Sequence, residues 1–330
     1  MEIQTSKIFS YPKPSIVLSK CLGISACRYN GHIILDKVID QISPFMNFVP
    51  VCPEEEIGLG TPRDPIRLVD NNGKTELVQP KSGKVLTNKM VKFSNTKIVE
   101  YANSIDGFIL KDRSPSCGIS NVKVYSSKHG MVMKKSPGMF AEKMKIAYPD
   151  LPMENEGRLS NKALREHFLT SIFAIARYRE IESSNMVNEI QLFHKQHKYL
   201  LMGYNQVLMR QMGKIAANSE KEDFKTIYTE YLNLLFKSLK RMPRISSIIN
   251  IHLHNFGYFK NELKSSEKVM FLELLEKYRN KIVTQSTINH LLWAWIVRYE
   301  VEYLSNQYFF QPFPEELISL PDSGKDRRIG

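Results

Sequence analysis

The sequence predicts an α/β domain followed by an all-α domain. Between residues 14 and 147, short apolar strand-like runs alternate with helical patterns, which is typical of a Rossmann-like, mostly parallel sheet with helices on its faces. Residues 137–157 are rich in Pro and Gly, so the regular alternation stops there. From residue 159 onward, apolar residues recur at helical spacing almost throughout.

These patterns divide the chain into four parts. We expect the α/β domain at residues 14–147, a linker at 148–160, the helical domain at 161–320 and a disordered polar tail at 321–330. A chain of 330 residues is long enough for two domains that each bury a core.

The α/β domain contains several predicted elements. Strands are expected at 14–19, 48–51, 106–111 and, at a sheet edge, 122–125; a hairpin is expected from 66–69 and 75–78. One helical pattern runs through Ile34, Val38 and Ile42, and another through Val91, Ile98 and Tyr101.

The helical domain begins with a clear apolar face, formed by Leu164, Phe168, Ile172 and Ile175. Seven or eight helices are expected in all. The further segments that predict them are 188–204, 208–217, 224–239, 267–278 and 289–308.

The composition, with 42% hydrophobic and 24% charged residues, is that of a soluble globular protein. The first residues carry no apolar run, and no segment approaches the roughly 18 apolar residues of a membrane span. We therefore expect a cytoplasmic protein whose thiols stay reduced. Its four cysteines then suggest a metal, a cluster or catalysis before disulfides.

The formal net charge of +12 favours a polyanionic partner, although a solvated basic face is the alternative. Three tracts without any acidic residue concentrate the positive charge, at 77–99, 190–219 and 231–261. The two later tracts lie in the helical domain. Their candidate RNA-binding residues are Lys195, Lys198, Lys237, Lys240, Arg241 and Arg244.

Three cysteines, Cys21, Cys52 and Cys117, follow predicted strands. In a parallel sheet they would meet at the carboxyl edge, whereas Cys27 lies within a loop and is predicted to stay apart. Such a trio suits an iron–sulfur cluster with one open iron, but zinc and no metal remain alternatives. Two interpretations of Cys117 by itself are equally supported: an exposed reactive thiolate and a small buried hydrophobic residue.

Four ordered motifs resemble the TudS family of thiouracil desulfurases: Lys20-Cys-Leu-Gly23, Arg28-Tyr-Asn-Gly31, Val51-Cys-Pro-Glu54 with Gly58–Arg63, and Arg113-Ser-Pro-Ser-Cys-Gly118. The second half resembles the helical YbgA-type domain that is often fused to it. The segments that carry this likeness are 193–202, 257–260 and 303–308.

The resemblance implies that Cys21, Cys52 and Cys117 ligate a 4Fe–4S cluster with one open iron. It also places Glu54, and Ser114 or Ser116, beside the substrate, with Glu54 activating water. The implied reaction replaces the thiocarbonyl sulfur of a thiolated uracil by oxygen from water and releases hydrogen sulfide. Family members usually carry an aliphatic residue in place of Cys27, so we expect Cys27 to be a packing or surface thiol.

Other polar and aromatic residues have plain structural readings. Tyr29 is a candidate for base stacking, although packing is favoured. His194 and His197 are expected to line an RNA surface or a polar interior rather than bind metal, and Asp112 and Arg113 to pair with each other. Trp293 and Trp295 are expected in the core.

Three functions follow from these observations. The fused architecture favours a desulfidase that acts on 4-thiouridine in tRNA. The second is a desulfurase of free thiouracils in which the helical domain serves a homodimer. The third is a non-enzymatic nucleic-acid-binding or repair accessory protein with structural thiols.

Overall fold

The structure, a computed structural model, describes residues 9–127 and 130–318; the expected tail at 321–330 lies outside them. The strands are β1 (Ser15–Ser19), β2 (Asn47–Val51), β3 (Arg67–Asn71), β4 (Lys74–Gln79), β5 (Lys84–Val85), β6 (Gly107–Ile109), β7 (Val122–Ser126), β8 (Val132–Ser136) and β9 (Met153–Glu154). The helices are α1 (Lys37–Ile42), α2 (Pro53–Glu56), α3 (Thr87–Tyr101), α4 (Met139–Ala147), α5 (Glu156–Leu159), α6 (Lys162–Glu180), α7 (Val187–Ala217), α8 (Phe224–Leu239), α9 (Ile245–Phe256), α10 (Ser265–Arg279), α11 (Gln285–Arg298) and α12 (Glu302–Ser305).

The described chain divides into two compact units. Residues 13–176 form an α/β unit, and residues 177–314, together with 9–12, form a helical unit, so the boundary falls within α6. The predicted fold class, α/β followed by all-α, is confirmed. Among the described residues, no helix is long and apolar enough to cross a membrane.

The α/β unit is built on a four-stranded parallel sheet in the order β2-β1-β6-β9. Its central strand β1 carries Ile16, Val17 and Leu18, each with no exposed surface. Buried parallel strands are near-continuous apolar runs because helices or other layers cover both faces. The predicted strands at 14–19, 48–51 and 106–111 are therefore confirmed.

A second, mixed sheet of the same unit has the order β5-β4-β3-β7-β8. The predicted hairpin is confirmed, because β3 and β4 pair antiparallel with Asn71 opposite Lys74. The prediction that residues 122–125 form an edge strand is wrong, since β7 lies between β3 and β8. Strand β8 was not predicted, because its residues are almost all exposed and do not alternate between apolar and polar.

The first predicted helix is shorter than its apolar pattern suggested. Helix α1 begins at Lys37, where the Asp36 carboxylate accepts the backbone N–H groups of Val38 and Ile39 at 2.9 and 3.1 Å. Ile34 lies outside the helix and pairs instead with Leu22 in an isolated parallel bridge. The chain between them therefore closes into a loop.

In the helical unit, α7 reverses direction at Asn205. This residue has extended backbone angles (φ −158°, ψ 101°), and its side chain caps the following turn by accepting the Leu208 N–H at 3.0 Å. The side chain of Gln191 donates to the Ala216 carbonyl at 3.0 Å, which a straight helix would hold roughly 37 Å away. The sequence prediction of two helices, 188–204 and 208–217, is thus confirmed.

Buried histidines lie in the core of the helical unit. The His197 ring donates from Nδ1 to the Phe193 carbonyl at 2.8 Å and accepts at Nε2 from Arg177 at 3.1 Å. Burial, followed by the charge of Arg177, holds the pKa of His197 well below its usual range, and burial lowers the pKa of His252 to about 3. Both rings are therefore neutral in the folded chain at neutral pH.

Acid should destabilise the helical unit through His252. In the unfolded chain this residue takes up a proton below about pH 6.5, whereas in the folded chain it stays neutral down to about pH 3. The unfolded state then binds more protons, so His252 adds no pH dependence above about pH 7 and lowers the free energy of unfolding by about 1.4 kcal/mol per pH unit between those values. Urea unfolding from pH 8 to pH 5 measures this slope.

His252→Gln removes one titrating group and should reduce the slope by about 1.4 kcal/mol per pH unit, while His197 and the other buried histidines keep the remainder. The matched control is the exposed His254 of the same helix, whose change to Gln should leave it unaltered. An unchanged slope in His252→Gln would contradict the prediction.

Candidate functional site

A cavity of about 420 Å³ opens at the carboxyl ends of the central strands of the α/β unit. This volume lies within the range of roughly 300–1,000 Å³ that is usual for ligand sites. The residues that sequence analysis singled out in this domain line it together: Cys21, Cys52, Cys117, Glu54, Ser114 and Ser116.

Strand pairing explains why distant cysteines line one cavity. In the register of the sheet, Ser19 at the end of β1 lies opposite Val51 at the end of β2, and Leu18 lies opposite Ile109 at the end of β6. Cys21 and Cys52 follow their strands by two residues and one residue, whereas Cys117 lies on the turn that follows β6. All three chain segments leave the sheet at the same edge.

The thiol of Cys117 is buried, with 5% of the residue exposed. Burial raises the pKa of Cys117 to about 12, although hydrogen bonds from Ser19 and Ser116 oppose the shift. The pKa of Cys52 is raised as well, chiefly by its hydrogen bond with Cys27 and then by burial. The exposed reactive thiolate considered for Cys117 is therefore wrong. Buried thiols of this kind suit ligation, where a metal displaces the proton, better than nucleophilic attack.

Glu54 is fixed by an arginine from the following loop. The Arg63 side chain donates to the Oε2 atom of Glu54 through Nε at 2.9 Å and through Nη2 at 2.6 Å. Another nitrogen, Nη1, donates to the Gly60 carbonyl at 2.8 Å, which anchors the guanidinium. With only 4% of the Arg63 side chain exposed, this pair is held in place rather than solvated.

The other oxygen of Glu54, Oε1, accepts from the two serines, with Ser116 Oγ at 2.8 Å and Ser114 Oγ at 3.3 Å. Ser116 has no exposed surface, whereas Ser114 is half-buried. The Ser114 hydroxyl also accepts the backbone N–H groups of Ser116 and Cys117 at 3.2 and 3.1 Å. Ser116 therefore orients Glu54 from within the protein, while Ser114 closes the turn and stays partly accessible.

Helix α4 clamps the turn that carries the serines and Cys117. The N–H groups of Met139 and Ala141 donate to the carbonyls of Pro115 and Ser116 at 2.9 and 3.0 Å. Gly138 permits this approach because a Cβ atom there would lie 2.6 Å from the Ser116 carbonyl oxygen, closer than packing allows.

The rim of the cavity carries an aromatic ring and several charges. Tyr29 is 44% exposed, so it is not a packing residue, and the Arg28 guanidinium lies 5.7 Å from its ring centroid. Arg113 pairs with Asp112 at 3.5 Å, as expected. Lys111 forms an ion pair with Glu156.

Two family models match the chain, one in each half. The model of the 2-thiouracil desulfurase family matches residues 16–156. The uncharacterized protein YbbK of Bacillus subtilis (strain 168) is 34% identical over 110 residues, which cover 72% of that protein and 31% of this chain. This chain belongs to the 2-thiouracil desulfurase family.

In the second half of the chain, residues 198–314 match the model of DUF1722, a family of unknown function. The uncharacterized protein YbgA of Escherichia coli (strain K12) is 22% identical over 162 residues, which cover 93% of YbgA and 47% of this chain. Both resemblances noted in the sequence are thereby confirmed. A solved structure of the [4Fe-4S]-dependent thiouracil desulfidase TudS covers 44% of this chain and 93% of its own, with 24% identity and a TM-score of 0.34.

Cys27 of this desulfurase family member lies where the sequence did not predict it. It is 1% exposed and lines the same cavity as the other three cysteines, so the prediction that it stays apart is wrong. A hydrogen bond with Cys21 is the largest cause that raises the pKa of Cys27 to about 11. The loop from Leu22 to Ile34 closes on itself and returns Cys27 to the sheet edge, a tertiary path that spacing alone does not reveal.

The helical unit carries the remaining candidates. All six predicted RNA-binding cations are exposed: Lys195, Lys198, Lys237, Lys240, Arg241 and Arg244. His197 and Trp295 are buried, which fits the expected polar interior and core. His194 is half-buried and contacts the Tyr231 hydroxyl at 3.0 Å.

Proposed function

We propose that this chain is a desulfidase that replaces the thiocarbonyl sulfur of a thiolated uracil by oxygen from water, and that its substrate is 4-thiouridine in tRNA. One observation carries the proposal: the three predicted cysteine ligands, the fixed carboxylate of Glu54 and the hydroxyls of Ser114 and Ser116 line a single cavity in a member of the 2-thiouracil desulfurase family. The balanced reaction converts a C=S group and water into a C=O group and hydrogen sulfide, without net electron transfer. The cytoplasm, where tRNA is found, is its proposed location.

The residues present fit a 4Fe–4S cluster with three cysteine ligands, Cys21, Cys52 and Cys117. Their sulfur donors match the thiolate ligation that such clusters prefer. Lys20 and Arg63 also line the cavity and pair with Glu55 and Glu54, so these carboxylates add no net negative charge to that of the ligands. When bound, the cluster would supply a Lewis-acidic iron that favours a soft thiocarbonyl sulfur over oxygen.

The chain's own residues then handle water and protons. Arg63 holds Glu54 with its Oε1 atom directed at the serines, so this oxygen can accept a proton from the attacking water. Ser114, the more accessible hydroxyl, lies within reach of both Glu54 and the cavity and can relay that proton. We assign Ser116 an orienting role because it is fully buried against the carboxylate.

Two features support RNA as the form in which the base arrives. The chain has a net charge of +12 and exposed cations in the acid-free tracts of the helical unit, which suit contacts with phosphates. Tyr29, at the rim, offers an exposed ring on which an unstacked base can lie. A free thiouracil is the second candidate substrate, because the matching family is described by that compound.

Protein purified without oxygen should contain about four irons and four sulfides per chain. Cys117→Ala removes a proposed ligand and should abolish the brown colour and the bound iron, while circular dichroism shows a folded chain. Iron and sulfide analysis provides the measurement, and Ser120→Ala, on the same segment, is the control. A folded, iron-free wild-type protein after anaerobic reconstitution would refute the cluster.

Glu54→Gln should lower kcat by about 10²- to 10⁴-fold, since it removes a general base, while leaving the iron content unchanged. Glu56, exposed on the same helix, gives the matched control Glu56→Gln, which should retain full turnover. Turnover is followed as hydrogen sulfide release. Loss of iron together with activity in Glu54→Gln would instead assign Glu54 a structural role.

The combined change of Lys237, Lys240 and Arg241 to Glu should weaken turnover of thiolated tRNA and spare free 4-thiouracil. The loss should shrink as salt rises, because phosphate contacts are screened. The control changes Lys268, Lys277 and Lys281, three cations of the same unit, to Glu. If the wild-type protein consumes the free base and leaves tRNA intact, the second substrate is correct.

A further inference from the structure

Cys27 belongs to a compact group of ligand atoms at one side of the cavity. The sulfurs of Cys27 and Cys52 and a carboxylate oxygen of Glu55 all lie within 4.8 Å of one another. Cys21 lines the same cavity, and its thiol is the largest cause that raises the pKa of Cys27. Two sulfurs and one oxygen are therefore gathered within a small volume, and Cys21 lines the cavity next to them.

Cys117 is not part of this group. Its thiol contacts the hydroxyls of Ser19 and Ser116, the latter at 3.8 Å, on the turn clamped by α4. The proposed cluster ligands are thus Cys21, Cys52 and Cys117, whereas the compact group joins Cys52 to Cys27 and Glu55. The two sets overlap but are not the same.

The spacing of the compact group suits a single metal ion. A tetrahedral ion with metal–sulfur bonds of about 2.3 Å and metal–oxygen bonds of about 2.0–2.2 Å holds its ligand atoms somewhat under about 4 Å apart. The ligand atoms of Cys27, Cys52 and Glu55 already lie within 4.8 Å of one another, so small side-chain rotations bring them to that geometry. Cys21, from the same cavity, supplies the fourth ligand. A cubane binds each cysteine through a different iron and spreads its sulfurs more widely.

We propose that Cys21, Cys27, Cys52 and Glu55 form a mononuclear site for a thiophilic divalent cation such as Zn²⁺. Borderline-soft ions favour three sulfurs and one carboxylate oxygen over all-oxygen sites. The site shares Cys21 and Cys52 with the proposed cluster, so a single ion and the cluster cannot be bound at the same time. This mutual exclusion rests on the proposed function, whereas the ion site itself does not.

Local structure supplies the ligands in two pairs. Cys52 and Glu55 are three residues apart at the start of α2, so they share one face of its first turn. Cys21 and Cys27 come from the loop after β1, which the bridge between Leu22 and Ile34 closes. Neither pair requires a change in the backbone fold.

Charge also favours a bound ion over free thiolates. Three thiolates and one carboxylate carry four negative charges, of which a divalent cation neutralises two. Lys20 lies beside them, with its Nζ atom 3.1 Å from Glu55 Oε2. Glu55 also accepts the Thr61 hydroxyl at 2.9 Å through Oε1, and each carboxylate oxygen keeps a further lone pair for a metal.

The test titrates reduced, iron-free, full-length protein with Co²⁺ without oxygen. We expect one Co²⁺ per chain, with the intense visible bands of a tetrahedral ion, a thiolate-to-cobalt charge-transfer band, and displacement by Zn²⁺. Cys27→Ala should weaken Co²⁺ binding by more than about 100-fold, since even outer-shell changes cost roughly 10- to 100-fold. The same variant should take up a full complement of iron and sulfide, which also shows that it folds.

Cys117→Ala is the reciprocal variant. It should bind Co²⁺ like the wild type and fail to hold the cluster. Pre-loading the wild type with Zn²⁺ should lower iron incorporation in proportion to the zinc bound, whereas pre-loaded Cys27→Ala should incorporate iron normally.

Undiminished Co²⁺ binding by Cys27→Ala would overturn the site, as would an equal loss of cobalt and iron in that variant. If the wild type binds Co²⁺ through Cys27 and takes up no iron, the proposed cluster fails and the mononuclear site stands. If it takes up iron and binds no Co²⁺, the mononuclear site fails and the proposed cluster stands.

Discussion

The site depends on the parallel pairing of β1 with β2 on one side and β6 on the other. Parallel strands in register end at the same edge, so the three segments that leave them begin side by side. The central strand has no exposed apolar surface, which means that its position is fixed by packing on both faces. Strand pairing therefore brings cysteines that are far apart in the sequence to one cavity.

Hydrogen bonds from two other segments then set the direction of the polar groups. Arg63 reaches back to Glu54 from the loop that follows α2, and the N-terminal turn of α4 fixes the segment that carries Ser114 and Ser116. The carboxylate is held at both oxygens, one by a cation and one by hydroxyls. This arrangement orients the carboxylate before any ligand arrives, as a preorganised site requires.

The sequence predicted those parts of the structure that local patterns determine. Apolar runs located β1, β2 and β6, and their alternation with helices placed Cys21, Cys52 and Cys117 at one edge. The helix break near Asn205 was also predicted, because the apolar pattern stops there.

The parts that failed depend on contacts between distant segments. Cys27 returns to the cavity because Leu22 and Ile34 bridge the ends of its loop. The sequence pattern of the loop does not predict that bridge. The inner place of β7 depends on β8, whose exposed residues resemble a loop. The orientation of Glu54 also depends on distant segments, because Arg63 holds one of its oxygens while Ser116 contacts the other.

The run of three glutamates in α2 has a consequence for how this turn tolerates changes in length. Cys52 stands immediately before the helix, and Glu54 and Glu55 occupy its second and third positions, each with separate partners. Loss or gain of one Glu codon within the run leaves a carboxylate at both positions, because a neighbour of the same chemistry moves into each. An extra residue between Cys52 and Pro53 would instead turn the whole run by about 100° about the helix axis. The same short segment is thus robust to one kind of indel and fragile to another.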